Sequence, residues 1–535
     1  MSPELPRLLA RTPGEPGSLA RALREDRDGA RELLPDGRWA PGPRAADPSS
    51  LPARGERGRL SASVLRASGP EARRRAEAAL EGEGVFVTTG QQPVLFLGPL
   101  YVVYKALTAV AVADALTAAG TPAAPLFWVA GDDHDWDEVG RTRVLDTSNR
   151  LRELRVEPAA ERVGRAVGPS PLPEAVEERL DELTQHLPES EFAPRYLDLL
   201  RDAWSPGRGF SEAFGSTLER LLPACDLVWL DAASPETRRT AAPLFERVLR
   251  DADEVTERLE RGTGRVRAAG WSPQLETEPG ALPLFLDTEG GRQRLYRSDG
   301  GFRVGRGGGR VGGDRVRAEL EERPERFSPD AALRPVTASW LLPTGVTVLG
   351  PAETAYWAQL PPLFDWAETP FPRLRPRDGW TVLEGKIGKV LEKLDAEPDA
   401  FEDGGRSLAR EIREEGRPAE VGRSLENARA AFGRSLAEVE EAVSSELPGI
   451  RSAVGAARHR AFEVLDELDA AVDDRVEERH EVVLGQIRKA ARHLWPDGRP
   501  QERVLTPFYY LARYGRGFLE LVERRARSRA GETSE

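Results

Sequence analysis

A strand, a helix and a second strand follow one another between residues 85 and 130, and this segment constrains the fold more than any other. Residues 85–88 are β-branched and aromatic, as in a buried strand. Residues 99–119 begin with a proline and end before Gly120, which is typical of a helix. Residues 125–130 form a second apolar strand. A strand–helix–strand unit with short connections predicts a parallel sheet with a right-handed crossover.

Two later apolar runs extend this sheet in the predicted fold. Residues 227–230 and 345–349 each lead into a turn and a helix start. The stretches between them, about 141–220 and 235–330, are predicted insertions. We therefore predict an α/β protein: a parallel sheet core with an N-terminal extension and inserted connecting segments over residues 1–384, followed by an α-helical domain.

The second insertion contains a glycine-rich run, residues 305–313, that superficially resembles a phosphate loop. No apolar strand precedes this run and no helix start follows closely, so we predict a flexible turn. A hairpin is predicted just before it, over residues 283–304, and a helix is predicted over residues 175–186 of the first insertion.

Residues 385–499 are predicted to form a long helical arm. Between Leu425 and Ala461, apolar or small residues recur about every 3.6 residues, the period of one helix face. Pro448 and Gly449 interrupt this stripe, where we predict a bend or a helical-hairpin turn. A single apolar seam requires a partner surface, either the arm folded back or another subunit. Residues 500–535 are predicted to return to the core.

Charge and composition limit the partners. The net charge of −13 argues against general nucleic-acid binding, because counterion release requires clustered positive charge. One cysteine, Cys225, excludes an intramolecular disulfide and a thiolate-rich metal site. No stretch reaches the roughly 18 uncharged apolar residues of a membrane span, and residues 1–40 lack an apolar signal-peptide core. We therefore expect a cytoplasmic protein with no membrane and no nucleic-acid partner.

Polar residues follow three of the predicted strands, at the edge where open parallel sheets bind ligands. The first set lies around the start of the 99–119 helix and consists of Gly90, Gln91, Gln92, Gly98, Tyr101, Tyr104 and Lys105. Backbone N–H groups at a helix start favour an anion, and Tyr101 and Lys105 share a helix face. A tight packing turn with a core-facing tyrosine explains the same spacing, and both interpretations stay open.

The second set directly follows the 125–130 strand and contains five acids and one histidine within seven residues. Asp132 and Asp133 are candidate Mg²⁺ ligands, and His134, followed by Asp135, is a candidate base near neutral pH. Helix N-capping accounts for one or two of these acids. Because capping does not account for all of them, we favour a functional cluster.

The third set repeats the design of the first. The strand 345–349 leads into Gly350, Pro351 and a helix with Glu353 and Tyr356 in its first turns. A glutamate at this position also complements the helix dipole, which explains it without any function. Two such helix starts on one sheet suit opposite ends of a nucleotide or substrate.

Together these motifs resemble the signature of the cysteine ligases of bacillithiol biosynthesis, in colinear order over about residues 85–515. The matching segments are Thr89-Gly90-Gln91-Gln92, Gly98-Pro99-Leu100-Tyr101, Tyr104-Lys105, residues 127–135, Ser328-Pro329, Leu333-Arg334-Pro335, Leu342-Pro343-Thr344, Gly350-Pro351, Glu353, Ala355-Tyr356-Trp357 and residues 500–505. A glutamine and an acidic residue commonly precede the Leu-Leu-Pro-Thr segment in the family. This chain has Ala338 and Ser339 there, so its pocket is expected to differ.

The resemblance implies a Rossmann-like core, a coiled-coil domain used for homodimerisation, and addition of L-cysteine to glucosaminyl-malate, the last step of bacillithiol synthesis. Because a free carboxylate does not condense favourably with an amine in water, we expect ATP or another adenine nucleotide, together with Mg²⁺.

Our hypothesis for the site assigns a role to each set of residues. The Gly90 and Gly350 loops hold phosphate and carboxylate groups, and Arg334 is a further binding residue. Asp133, His134 and Asp135 orient the amine or the metal, with His134 as the base, and Lys105 offsets phosphate charge.

Two other functions stay open from the sequence. A nucleotidyltransferase or class I synthetase relative uses the same core, but such families typically carry a His-x-Gly-His motif in the first loop, and residues 90–98 contain no histidine. A catalytically silent scaffold with a partner-recruiting arm is the other alternative. A scaffold requires no polar strand ends, whereas this chain has three.

Overall fold

The computed structural model describes residues 4–11, 17–27, 29–36, 38–39, 60–276, 278–444, 447 and 450–531. The chain divides into two compact units. The first unit comprises Met1–Val382 and Glu502–Glu535, and the second comprises Leu383–Gln501.

The strands of the described residues are, in chain order from β1 to β15, Arg7–Ala10, Arg66–Ala67, Val85–Gln91, Ala123–Val129, Arg141–Leu145, Leu151–Arg155, Val228–Asp231, Ala281–Thr288, Gly291–Ser298, Gly301–Val304, Arg310–Gly312, Phe327–Pro329, Thr344–Leu349, Arg373–Pro376 and Trp380–Leu383. The helices, from α1 to α19, are Leu19–Glu25, Pro70–Glu81, Tyr101–Ala118, Trp136–Val139, Ala175–His186, Ala193–Ala203, Phe210–Leu221, Pro235–Arg250, Ala252–Ala268, Gly313–Glu322, Leu333–Leu341, Pro351–Trp357, Pro361–Trp366, Gly385–Leu394, Arg406–Gly416, Ala419–Ser444, Arg451–Leu494, Phe508–Tyr514 and Arg516–Gly531.

The central sheet of the first unit has the order β14-β13-β3-β4-β7-β2. All strands from β14 to β7 run parallel, and β2 pairs antiparallel with β7 at the edge. From β3 the chain crosses through α3 to β4 and then β7 on one side, and it later adds β13 and β14 on the other side. The order therefore reverses between β3 and β13, where the carboxyl ends of the strands leave a crevice. The predicted Rossmann-like α/β core is confirmed.

Helix α3 is the core helix of this unit. Its residues pack on both sides, with Val103 and Leu107 in one hydrophobic cluster and Ala109 and Val112 against the sheet. Among the described residues, α3 alone has the length and apolar composition of a membrane-spanning helix, and 72% of it is buried inside the fold. Gly120 has a φ of 91° just after its end, as the predicted C-terminal glycine requires.

Three local predictions need correction or refinement. Strand β3 continues through Thr89 and Gly90 to Gln91, because its pairing with β4 persists to Gln91 and Val129, so these residues are strand and not loop. The prediction that no helix start follows the glycine-rich run is wrong, because α10 begins at Gly313. Only residues 305–309 are the predicted turn, which connects β10 with β11, whereas residues 310–312 of the run form β11.

The insertions form their own structure on this core. The first contains the β5–β6 hairpin and α5, whose bounds match the predicted helix 175–186. The second contains α8, α9 and a five-stranded antiparallel sheet of order β11-β10-β9-β8-β12, of which the predicted hairpin is one part.

The second unit contains α14 to α17, and its two long helices, α16 and α17, pack against each other. Arg458 pairs with Glu440 at 3.5 Å and Arg417 with Asp473 at 2.9 Å, which fixes an antiparallel arrangement. The predicted turn at Pro448 and Gly449 lies outside the described residues. The predicted apolar stripe is only partly covered: Leu425 and Val454 are buried, whereas Phe432 is 48% and Val439 is 49% exposed.

Candidate functional site

A cavity of about 290 Å³ lies at the crevice between β3 and β13, where the strand order reverses. Parallel sheets bind ligands at such reversals because loops and helix starts from both sides meet there. Of the residues predicted to form a site, nine line this cavity: Gly90, Gln91, Gln92, Tyr101, Lys105, Arg334, Gly350, Glu353 and Tyr356. The first and third sets of polar residues are therefore one site.

Lys105 connects these two sets. Its Nζ donates to the Gly90 carbonyl oxygen at 2.7 Å and to Gln91 Oε1 at 3.2 Å, and it forms an ion pair with Glu353. The side chain is only 3% exposed. Burial lowers the pKa of Lys105, as do Arg377 and Arg334, while Glu353 acts in the opposite direction. Lys105 thus fixes the β3 end against the start of α12.

The structure explains why Gly90 and Glu353 occupy their positions at this contact. A Cβ on Gly90 would lie 2.9 Å from the Trp128 carbonyl oxygen, so only glycine allows β3 and β4 to approach here. The Glu353 carboxylate accepts the Gly350 backbone N–H at 2.7 Å, which caps α12. The capping interpretation of Glu353 is correct, and the same carboxylate also binds Lys105 in the cavity wall.

Arg334 and Tyr356 also line the cavity. They belong to α11 and α12 and approach each other closely. Burial raises the pKa of Tyr356 to about 12, against the opposing effect of the Arg334 guanidinium. The phenol is therefore neutral at physiological pH, and Arg334 keeps its positive charge for a ligand anion.

Arg377, which the sequence analysis missed, also lines the cavity. It follows β14, a strand that was not predicted, and its backbone N–H donates to the Leu349 carbonyl oxygen at 2.8 Å. Its guanidinium binds both oxygens of Glu502, at 2.7 and 2.9 Å, and lies 5.5 Å from the centre of the Tyr101 ring. Glu502 and the cavity-lining Arg503 belong to the segment 500–505 that carried the family resemblance. That signal was present, but no role was assigned to it.

The acidic turn after β4 contributes less to the cavity than predicted. Asp133 accepts hydrogen bonds from the Gln92 side chain and from the His134 backbone N–H at 2.7 Å. These bonds lower the pKa of Asp133, although burial alone would raise it. Asp135 caps α4 by accepting the Glu138 N–H at 3.1 Å. Asp133, Asp135 and the exposed His134 do not line the cavity, whereas Glu138, which was not singled out, does.

The predicted metal ligand Asp132 is engaged elsewhere. Its carboxylate binds the Arg238 guanidinium at 2.6 Å. Both side chains are buried, with an exposed fraction of 6% for Asp132 and 5% for Arg238. A carboxylate neutralised by an internal arginine does not offer that oxygen to a cation. Among the described residues no group of three His, Cys, Asp or Glu side chains is placed to hold a metal ion. The donor set for Mg²⁺ predicted at Asp132 and Asp133 therefore does not fit.

Two further predicted binding residues belong to the interior. Tyr104 is fully buried and packs edge-on against Trp380 with ring centres 5.0 Å apart. Gly98 has a φ of 63°, and a Cβ there would lie 2.7 Å from Val94. Both therefore serve packing and the turn before α3, and the Leu100 N–H at this helix start already donates to Leu505. These contacts favour the packing interpretation of Gly98 and Tyr104, and the anion site at this helix start stays a prediction.

The departure from the family pattern lies in the cavity wall. Ala338 and Ser339 of α11 line it, one turn along the helix from Arg334. A small apolar and a small hydroxyl side chain thus occupy positions where larger polar residues were expected. The departure thus lies at a lining position, and a difference from the family's pocket at this wall stays a prediction.

Comparison with known proteins gives matches along most of the chain. Residues 62–378 match the model "Bacillithiol biosynthesis BshC, N-terminal Rossmann-like domain", and residues 380–526 match "Bacillithiol biosynthesis BshC, C-terminal coiled-coil domain". Relatives described as "Putative cysteine ligase BshC" include those of Salinibacter ruber, 31% identical over 82% of this chain and 80% of the relative, and Heliobacterium modesticaldum, 31% identical over 84% and 82%. The Bacillus cytotoxicus relative is 28% identical over 84% of both chains.

Proposed function

Because this chain belongs to the BshC family of bacillithiol biosynthesis, we propose that it is a ligase that joins L-cysteine to glucosaminyl-malate through an amide bond. One observation connects the family membership with a particular site in this structure. The family motifs around Gly90, Gly350 and Glu502, far apart in sequence, meet in one cavity at the reversal of the sheet. A scaffold protein requires no such convergence of buried charges.

The charges of the cavity suit acidic substrates. Arg334 is the group we assign to a carboxylate of the malate moiety, because a guanidinium binds a carboxylate with two parallel hydrogen bonds. Lys105 and Arg377 are already paired with Glu353 and Glu502, so they hold the shape of the wall and add less free charge. Arg503 provides a further cation at the opening.

Formation of the amide bond requires an amine without its proton and an activated carboxyl group. The amine nitrogen attacks the carbonyl carbon of cysteine, the bond to the activating group breaks, and the nitrogen loses a proton. Glu138 is the carboxylate that we assign to accept this proton, because it lines the cavity and Gln92 donates to it at 3.3 Å. We keep His134 as the alternative acceptor from the sequence analysis, and the two assignments are separable by substitution.

Activation by ATP or another adenine nucleotide is part of the proposal. The nucleotide would supply the phosphate that makes the cysteine carboxyl group reactive, and Arg503 together with Arg377 would lie against its negative charge. Magnesium enters no step of this mechanism, because the described residues place no group of three His, Cys, Asp or Glu side chains to hold a metal ion.

We further propose a cytoplasmic homodimer that forms through the coiled-coil domain. Apolar side chains on both long helices support this: Phe432 and Val439 on α16, and Val464, Leu468 and Val482 on α17, are each about half or more exposed. Replacing Phe432 and Val439 together by Ser is expected to convert a dimer into a monomer in light-scattering measurements. A wild-type chain that is monomeric at micromolar concentration would contradict this part.

The ligase proposal is tested with purified protein, L-cysteine and glucosaminyl-malate, with and without ATP. Mass spectrometry should detect the cysteinyl product, and nucleotide analysis should distinguish AMP from ADP as the by-product. Absence of the product under both conditions would refute the ligase function for this chain.

A further inference from the structure

The cavity-lining residues of the sheet point to both of its faces. Side chains alternate along a strand, so Thr88 and Gly90 of β3 face one side, and Thr89 and Gln91 face the other. Thr88 pairs in register with Thr347 of β13, and Gly90 pairs with Trp128 of β4. Residues in register share a face, so the cavity continues around the end of β3 from one face of the sheet to the other.

The face covered by α11 has small hydroxyl side chains beside a flat aromatic ring. The hydroxyl oxygens of Thr88 and Thr347 are 3.1 Å apart, and the Trp128 indole, 95% buried, forms the adjoining floor. Ala338 and Ser339 of α11 line the same cavity, and Ala338 packs against the hydrophobic cluster that contains Trp128. Hydroxyl groups that accept and donate, together with an aromatic surface, suit a hydroxylated ring whose C–H face packs on the indole.

The face covered by α3 has a different chemistry. Lys105 and Tyr101 lie here, with Lys105 Nζ 6.0 Å from the centre of the Tyr101 ring, and Arg377 packs on the same ring. Arg503 lines the same cavity. Cationic groups backed by an aromatic ring suit carboxylate and phosphate oxygens rather than a neutral ring.

We infer that the two substrates bind on opposite faces of the sheet, an inference that rests on the proposed ligase function. The sugar ring of the acceptor lies on the α11 face, against Trp128 and under Ala338. The cysteine carboxyl group and its activating phosphate lie on the α3 face, near Lys105 and Arg377. The amine attacks across the end of β3, the new C–N bond forms there, the phosphate-bearing group leaves on the α3 side, and Glu138 takes the proton.

The test measures whether a variant on each face raises the KM for one substrate and leaves the KM values for the others unchanged. Ala338→Leu fills the α11 side and is expected to raise the KM for glucosaminyl-malate by about tenfold, with the KM values for cysteine and ATP within about twofold of wild type. Arg503→Gln removes an exposed cation and is expected to raise the KM for ATP or cysteine by about tenfold, with little change for the acceptor. Ser339→Ala is the milder variant of the α11 side if Ala338→Leu folds poorly.

Ala242→Leu is the matched control, because Ala242 is a partly buried alanine of α8 in the same hydrophobic cluster but does not line the cavity. It should leave all KM values unchanged. If the α11 variants raise the KM for cysteine as much as that for the acceptor, or if Arg503→Gln affects only the acceptor, the assignment of substrates to faces is wrong. A wild-type protein that forms no product would instead refute the ligase proposal itself.

Discussion

The ends of β3 and β4 lie side by side in the sheet and both carry polar groups, yet they differ in what these groups do. At the end of β3, Gly90 and Gln91 hold Lys105 in the cavity wall. At the end of β4, Asp132 is neutralised by Arg238, and Asp135 caps a helix. The denser cluster of charges is therefore the more structural one.

This difference shows that the number of acidic residues at a strand end does not identify a ligand site. What matters is whether each carboxylate already has an internal partner. Glu138 is the member of the acidic turn that lines the cavity, and it lies at the far end of the turn. Each of the following predictions compares the β3 end with the β4 end.

Lys105→Met gives the largest expected effect on the β3 side. It removes the ammonium group that joins Gly90, Gln91 and Glu353, so turnover should fall by roughly 100- to 1,000-fold. Lys386→Met, at an exposed lysine of α14, is the control and should retain full turnover. A Lys105→Met protein that folds and turns over normally would remove Lys105 from the site.

Asp132→Asn gives the largest expected effect on the β4 side, and the effect is on stability. The substitution removes the nearer of two carboxylates that pair with the buried Arg238, the other being Asp287 at 3.5 Å, so the free energy of unfolding should fall by up to about 3 kcal/mol. Turnover per folded molecule at a temperature well below unfolding should change little. A selective loss of turnover without loss of stability would return Asp132 to a catalytic role.

For Asp231, which ends the neighbouring strand β7, we predict an effect on stability that depends on pH. Burial, with Asp132 adding to it, raises the pKa of Asp231 to about 6. Between pH about 4 and about 6 the folded protein therefore holds a proton on Asp231 that the unfolded chain has released. The stability that this neutral carboxyl group provides is complete below pH about 4 and is lost as the pH rises through about 6. Relative to Asp231→Asn, wild type should lose about 3 kcal/mol of unfolding free energy over this range. Parallel pH profiles of the two proteins would contradict the raised pKa.

The sequence was sufficient to predict the cavity residues at the β3 end, because the patterns that indicate them are local. The strand–helix–strand unit places Gly90, Tyr101 and Lys105 at one strand end through regular geometry alone, and Glu353 repeats that design. Arg377 was missed because β14 has only four residues and two of them are arginines, so no apolar run marks it. Its partner Glu502 lies 125 residues away, a separation that no spacing rule connects.

The errors on the β4 side have the same physical origin. The partners of Asp132 and Asp133 are Arg238 and Gln92, 106 and 41 residues away, so the sequence shows the carboxylates without the groups that occupy them. The helix-capping role of Asp135 is local, so helix capping was among the explanations that the sequence offered for these acids. Tyr104 and Lys105 are adjacent in sequence, and only the packing of α3 decides which of them faces the cavity.

The most direct test of the central claim, that the chemistry takes place in the cavity between β3 and β13, is the turnover of Glu138→Gln measured beside that of His134→Ala at saturating substrates. The account predicts a loss of about 100-fold or more for Glu138→Gln and a change within about twofold for His134→Ala, whose side chain is exposed outside the cavity. The opposite result, with His134 essential and Glu138 dispensable, would place the proton transfer at a side chain outside the cavity and contradict the account.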